Sequence, residues 1–124
     1  MSDQSLAISP DKTALVLVDL QNGVVGRSVA PYSASDVLAK SISLAEAFRS
    51  IGSTVVLVRV SFAPDGADRV RQPVDSEMPA FTPPPGWDQI VPELGPRDGD
   101  IVVTKRQWGA FYGTDLTCTC AEGV

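Results

Sequence analysis

The chain has 124 residues, of which 44% are hydrophobic and 20% charged, which is the make-up of one globular domain able to bury roughly two-thirds of its unfolded surface. Its net charge of −5 argues against nucleic acid or an anionic membrane as a partner, since a phosphate-binding face needs clustered Lys and Arg. It contains no histidine, which removes the commonest metal ligand, the commonest general base and the Ser/His/Asp triad together.

The opening residues, Met1 to Ser5, lack a basic region followed by an apolar stretch, and no later run is long enough to span a bilayer. The expected location is therefore cytoplasmic. Residues Ser2 to Lys12 are polar, with Pro10 and Asp11 turning into Thr13 to Gln21, a strand with a carboxylate and a carboxamide at its far end. The run Ala14 to Val18 fits a strand buried on both faces, as in a parallel sheet. Ligand chemistry in open α/β folds collects beyond the carboxyl ends of the strands, where Asp19 and Gln21 would lie. The competing reading has Asp19 simply capping the next turn. Asn22 to Gly26 reads as a loop and meets neither the dinucleotide fingerprint nor the phosphate-loop spacing.

A helix is expected from Ser35, as its cap, to Ile51, with Gly52 stopping it. Val37, Leu44, Phe48 and Ile51 make one apolar stripe, with Leu38, Ile42 and Ala45 beside it. Thr54 to Val60 repeats the β-branched pattern, so strand, helix and strand form a βαβ unit with parallel strands. From Ser61 to Asp100 the chain changes character, with seven of the ten prolines lying between Pro73 and Pro96. That density excludes a long helix or a central strand, leaving a short helical turn around Trp87 and Ile90 within a lid or partner-binding arm. Pro83 to Pro85 reads as a rigid connector in preference to a polyproline ligand. A third strand, Ile101 to Lys105, follows the turn Arg97 to Asp100 and ends in a cation as the first ends in an anion. Asp19 and Lys105 would then face one crevice.

Three stretches carry a resemblance. Ala14 to Asn22 with its Asp-x-Gln, Val55 to Arg59, and Val102 to Leu116 with its lysine, aromatic loop and Gly-Thr-Asp-Leu resemble the isochorismatase-like cysteine hydrolases, in that family's order. The resemblance implies a three-layer αβα Rossmann-like parallel sheet and a small-molecule substrate, with no cofactor. Members of the family cleave amide-type C–N bonds or the vinyl ether of isochorismate, and commonly form homo-oligomers. The branch acting on nicotinamide holds a metal partly through histidines, and a chain without histidine does not fit it. The implied catalytic triad is Asp, Lys and Cys, with Asp19 and Lys105 as its first two members and Gln21 and Trp108 bordering the substrate. The chemistry is coherent: a carboxylate takes the thiol proton, an ammonium stabilises the thiolate, and a helix N-terminus stabilises the oxyanion.

The departure from the family lies at the end. The nucleophilic cysteine should follow a further helix and strand, whereas Cys118 is only 13 residues past Lys105 and Cys120 is two residues further on. Neither occupies the family's position, and so close a pair makes neither a disulfide framework nor a metal site. Residues 1–124 therefore read as a single domain incomplete at its C-terminal end, with 117–124 an aberrant tail. The tail's codons, read in the neighbouring frame after one restored G, permit a Leu- and Arg-rich helix start, so a frameshift is the expected origin. The strand missing at that end would pair with the open side of Ala14 to Val18. Without it this chain is expected to be poorly soluble and inactive. Two other readings are a non-catalytic, partner-binding subunit with Asp19 and Lys105 as a structural ion pair, and a domain binding an anionic metabolite through Lys105 and Arg106.

Overall fold

The computed structural model describes residues 5–69, 71, 73–76 and 82–123. A 3-10 turn at Pro10–Lys12 leads into strand β1 (Ala14–Val18), followed by α1 (Asn22–Val25), α2 (Ala34–Ser50), β2 (Thr54–Val60), β3 (Ile101–Lys105) and α3 (Leu116–Gly123). The three strands form one parallel sheet in the order β1-β2-β3, with Val18 opposite Val58 and Val60 opposite Lys105 at the carboxyl ends.

Alternation along β2 sorts the core into two layers. Val55 and Leu57 point to one face, where Ala45 and Leu94 close a cluster with Leu38, Ile42 and Phe48 of α2. Val56 and Val58 point to the other, packing with Val103, Leu116 and Cys120, so α3 covers that side. Helices on both faces of a parallel sheet make the expected three-layer αβα fold.

Each of the three expected strands is present, but burial is distributed differently. The most buried strand is β2, with Val55 to Val58 buried, because among the described residues it alone is paired on both sides. β1 lies at an edge of the sheet, half-buried along its length, and Val18 is 43% exposed. The sequence run Ala-Leu-Val-Leu-Val is that of an interior strand, and among the described residues nothing pairs with its outer edge.

Helix α2 starts two residues earlier than expected, and Ser33 is its cap. Ser33 has extended backbone angles and its Oγ accepts from the Asp36 amide at 3.2 Å, whereas Ser35 already lies inside the first turn and touches only the Ser33 hydroxyl. Replacing Ser33 with alanine should lower stability by about 1 kcal/mol in denaturant melts, and replacing Ser35 should do much less. Gly52, at φ +74°, ends the helix as expected. The face turned to the sheet is centred on Leu38, Ile42 and Ala45, whereas Val37, Leu44 and Ile51 are 41–53% exposed. The stripe at seven-residue spacing thus lies on the flank of the contact and only Phe48 of that set is packed inward.

Two further differences come from contacts distant in sequence. Asn22–Val25 forms one helical turn where a loop is expected, its Val24 and Val25 amides both donating to the Gln21 carbonyl. It is held from outside: the Asn22 and Gly23 amides donate to Gln89 and Trp87 carbonyls. Gly23 leaves no room for a side chain there, since an added Cβ would lie 3.0 Å from the Trp87 carbonyl oxygen. Gly86 to Leu94 forms turns in place of a helical turn, because its backbone is drawn into pairing with Leu20 and Gln21. Pro84 accepts from the Trp87 amide, so the proline run feeds directly into this turn as a connector. Pro79 lies outside the described residues.

Among the described residues no helix is long and apolar enough to cross a membrane. The tail read as aberrant supplies α3, whose Leu116 is fully buried in the second core cluster.

Candidate active site

β1 and β3 flank β2, so their ends deliver Asp19 and Lys105 to one place from opposite sides. Asp19 continues the ladder by donating its amide to the Val58 carbonyl at 2.9 Å, then turns into the left-handed region at φ +63°. Among the described residues it is the one non-glycine with a positive φ, a conformation that costs of order 1 kcal/mol and that aspartate tolerates better than most side chains. The turn carries its carboxylate back across the end of β2.

Lys105, only 3% exposed, reaches it there. Its Nζ lies 3.2 Å from Asp19 Oδ1 and 3.3 Å from Oδ2, and donates to the Trp108 carbonyl at 2.8 Å. The pair joins residues 86 apart in sequence. Asp19 Oδ1 is shielded from solvent and accepts no hydrogen bond among the described residues, although the ammonium is close, so one carboxylate oxygen keeps acceptor capacity. The capping reading of Asp19 does not fit: α1 is capped by Gln21 in extended conformation with no side-chain bond.

Gln21 is fully buried beside this pair. Its Oε1 accepts from the Val60 amide at 2.8 Å, and its Nε2 donates to the Val60 carbonyl at 2.9 Å and more weakly to the Trp87 carbonyl at 3.4 Å. Trp108 contributes its carbonyl to Lys105, while the residue as a whole is 88% exposed, and Phe111 and Tyr112 in the same loop are exposed too. Gln107 braces that loop through the Gly109 carbonyl at 2.8 Å.

Sequence reasoning missed the supports around the pair. Arg106 donates to the Ser61 carbonyl at 2.8 Å and pairs with Asp68 at 3.0 Å, which fastens the chain after β2 to the end of β3. Ser61 in turn donates to Asp88 at 2.6 Å. These partners carry no local signal, because each is an ordinary polar residue matched to one distant in sequence. They also bear on the anion-binding reading, since Lys105 and Arg106 are both already engaged by carboxylates and carbonyls. Cys118 is exposed and Cys120 packs on the α3-side core. Among the described residues, the Lys105 ammonium is held by Asp19 and Trp108.

A parallel αβα domain with a Lys–Asp pair at the carboxyl ends of its strands belongs to the open α/β class, in which ligand chemistry collects beyond those ends. Comparison with known proteins narrows the class. The family model for the isochorismatase domain matches residues 13–122, and the chain belongs to the isochorismatase family. It is 45% identical over 111 residues to the uncharacterized isochorismatase family protein YecD of Escherichia coli O157:H7, covering 90% of this chain and 59% of that protein. An isochorismatase family protein from Burkholderia thailandensis has a similar structure, with a TM-score of 0.81 and 43% identity, covering 92% of this chain and 60% of that one. N-carbamoylsarcosine amidase from Thermoplasma acidophilum is similar at a TM-score of 0.57 and 28% identity, over 90% of this chain and 62% of the amidase. The chain thus spans about three-fifths of the length of these relatives.

Proposed function

We propose that this chain carries two members of the catalytic triad of a cysteine hydrolase, Asp19 as general base and Lys105 as the stabilising ammonium. The observation that supports this reading best is the Lys105–Asp19 contact of 3.2 Å at the ends of β3 and β1, with a carboxylate oxygen left to accept a proton. In the reaction, a thiol passes its proton to Asp19 and its sulfur attacks the carbonyl carbon of an amide-type substrate. Lys105 offsets the negative charge that the thiolate brings. Collapse of the tetrahedral adduct expels the amine, which takes the proton from Asp19, and water then hydrolyses the thioester.

The thiol is the family's nucleophilic cysteine, whose position neither Cys118 nor Cys120 occupies. The substrate is a small metabolite with an amide-type C–N bond or a vinyl ether, and the amidase likeness favours the former. Trp108 borders the mouth of the crevice and Gln21 lies in its floor. Nucleic acid and membrane are not partners, and self-association through the open edge of β1 makes the protein a homo-oligomer.

The test is a chimera in which residues 13–116 replace the matching part of the Burkholderia thailandensis protein, assayed on a panel of small amides. Asp19→Asn should reduce kcat of the folded protein by about 10³-fold while the fold is kept. In the second reading the Lys105–Asp19 pair is purely structural, and the substitution changes stability and leaves turnover alone.

A further inference from the structure

The hydrogen bonds around Gln21 are unusual for a residue that follows a strand. The β1–β2 ladder ends at Val18 opposite Val58, and the left-handed turn at Asp19 takes the backbone out of register. Two residues later the Gln21 carboxamide does what a peptide unit would have done. It donates to the carbonyl of Val60 and accepts from the amide of the same residue, and so pairs with β2 past the kink. Its own backbone meanwhile bridges Ile90, and its carbonyl accepts the Val24 and Val25 amides of α1. The side chain is fully buried and both of its polar atoms are committed, so it offers no group to a substrate.

Val60 is the other half of the argument. It pairs with Lys105 across β3 on one side and with the Gln21 carboxamide on the other. One side chain therefore ties the residue beside Lys105 to a point two residues from Asp19. We propose that Gln21 is a positioning residue that sets the spacing of the Asp19 carboxylate from the Lys105 ammonium by locking the end of β1 to Val60. Its consequence for catalysis rests on the roles proposed above for Asp19 and Lys105, whereas the geometric claim stands on the contacts alone. The chemistry permits few substitutes. Glutamate keeps the acceptor for the Val60 amide but has no N–H for the Val60 carbonyl, asparagine is one methylene short, and leucine leaves both Val60 groups without partners.

The experiment uses the present chain and reads the Lys105 side-chain ammonium by 15N NMR, together with hydrogen exchange at the Val60 amide. Asp19→Asn marks the signal of an ammonium without its carboxylate. Gln21→Leu and the milder Gln21→Glu are expected to move the Lys105 signal toward that position, and Gln21→Leu to speed Val60 exchange by about tenfold. Leu38→Ala, which loosens α2 on the opposite side of the core, provides a variant of lowered melting temperature in which the Lys105 signal is expected to stay at the wild-type position. Should Gln21→Glu fold and leave the Lys105 signal unmoved, Gln21 serves only stability and the proposal is overturned. Should Leu38→Ala move the signal equally, the spacing follows general stability and the proposal is overturned as well. A wild-type signal already identical to that of Asp19→Asn removes the ion pair itself, and with it the catalytic reading above.

Discussion

Lys105→Met should reduce turnover of the chimera by at least about 10³-fold and lower its stability by about 2 kcal/mol. Lys105 is 3% exposed and bonded to both the Asp19 carboxylate and the Trp108 carbonyl. Methionine preserves much of the packing of the lysine stem, so the stability loss reports mainly those two acceptors left without a donor. The loss should stay below the full penalty of a broken buried pair, because the Asp19 side chain is 35% exposed and water can reach part of it. Arginine keeps the charge but replaces a point donor with a planar fork, and should recover stability better than turnover. Thermal melts and steady-state kinetics on the same preparations separate the two effects.

The largest stability loss is expected at the opposite end of the sheet. The Arg49 guanidinium, on the last turn of α2, makes a two-pronged contact with Asp100, with Nε 3.0 Å from Oδ1, and also donates to the Leu94 carbonyl at 2.8 Å. The Asp100 side chain is 2% exposed, just before β3. Arg49→Met would leave the buried Asp100 carboxylate without its cation and with the Arg97 amide as its remaining donor, a loss of about 3 kcal/mol, against a total stability of about 5–15 kcal/mol for a domain. Denaturant midpoints measure it. The chimera carrying Arg49→Met should keep the kcat of its folded fraction, since Arg49 and Lys105 stand at opposite ends of the strands. Loss of stability with retained turnover there, and loss of turnover at Lys105, would separate the scaffold from the site.

The parts of the fold that could be read in the sequence are those encoded by local pattern. All three strands are continuous Val-, Ile- and Leu-rich runs, and their apolar, β-branched character marks them without reference to anything distant. The start of α2 was harder to place because Ser33 and Ser35 are equally good caps by type, and only the backbone at Ser33 decides between them. Its inner face was misplaced by about a quarter-turn, since Val37, Leu44 and Ile51 are as apolar as Leu38 and Ile42, and the sheet beneath selects the latter. Asn22–Val25 and Gly86 to Leu94 escaped prediction because each is shaped by the other, across more than sixty positions.

The site shows the same division. Asp19 and Lys105 are legible as charges terminating apolar strands, and the family resemblance joins the two residues that the structure places 3.2 Å apart. The resemblance implied that Gln21 borders the substrate. Its actual partners are the backbone of Val60, 39 residues away, and no side-chain pattern encodes a backbone partner. For Trp108, the resemblance implied a place beside the substrate and gave no hint that its carbonyl holds Lys105, since carbonyls are the same in every residue.

The central claim is that Asp19 and Lys105 activate a thiol, and the most direct measurement requires no substrate. It is the rate at which iodoacetamide alkylates the family-position cysteine of the chimera near neutral pH, followed by mass spectrometry. Asp19→Asn and Lys105→Met should each slow that alkylation by about tenfold or more, while the same cysteine in the denatured parent and variants reacts at one common rate. Equal alkylation rates in the parent and both variants would contradict the account, leaving the Lys105–Asp19 pair as a fastening of the sheet and nothing more.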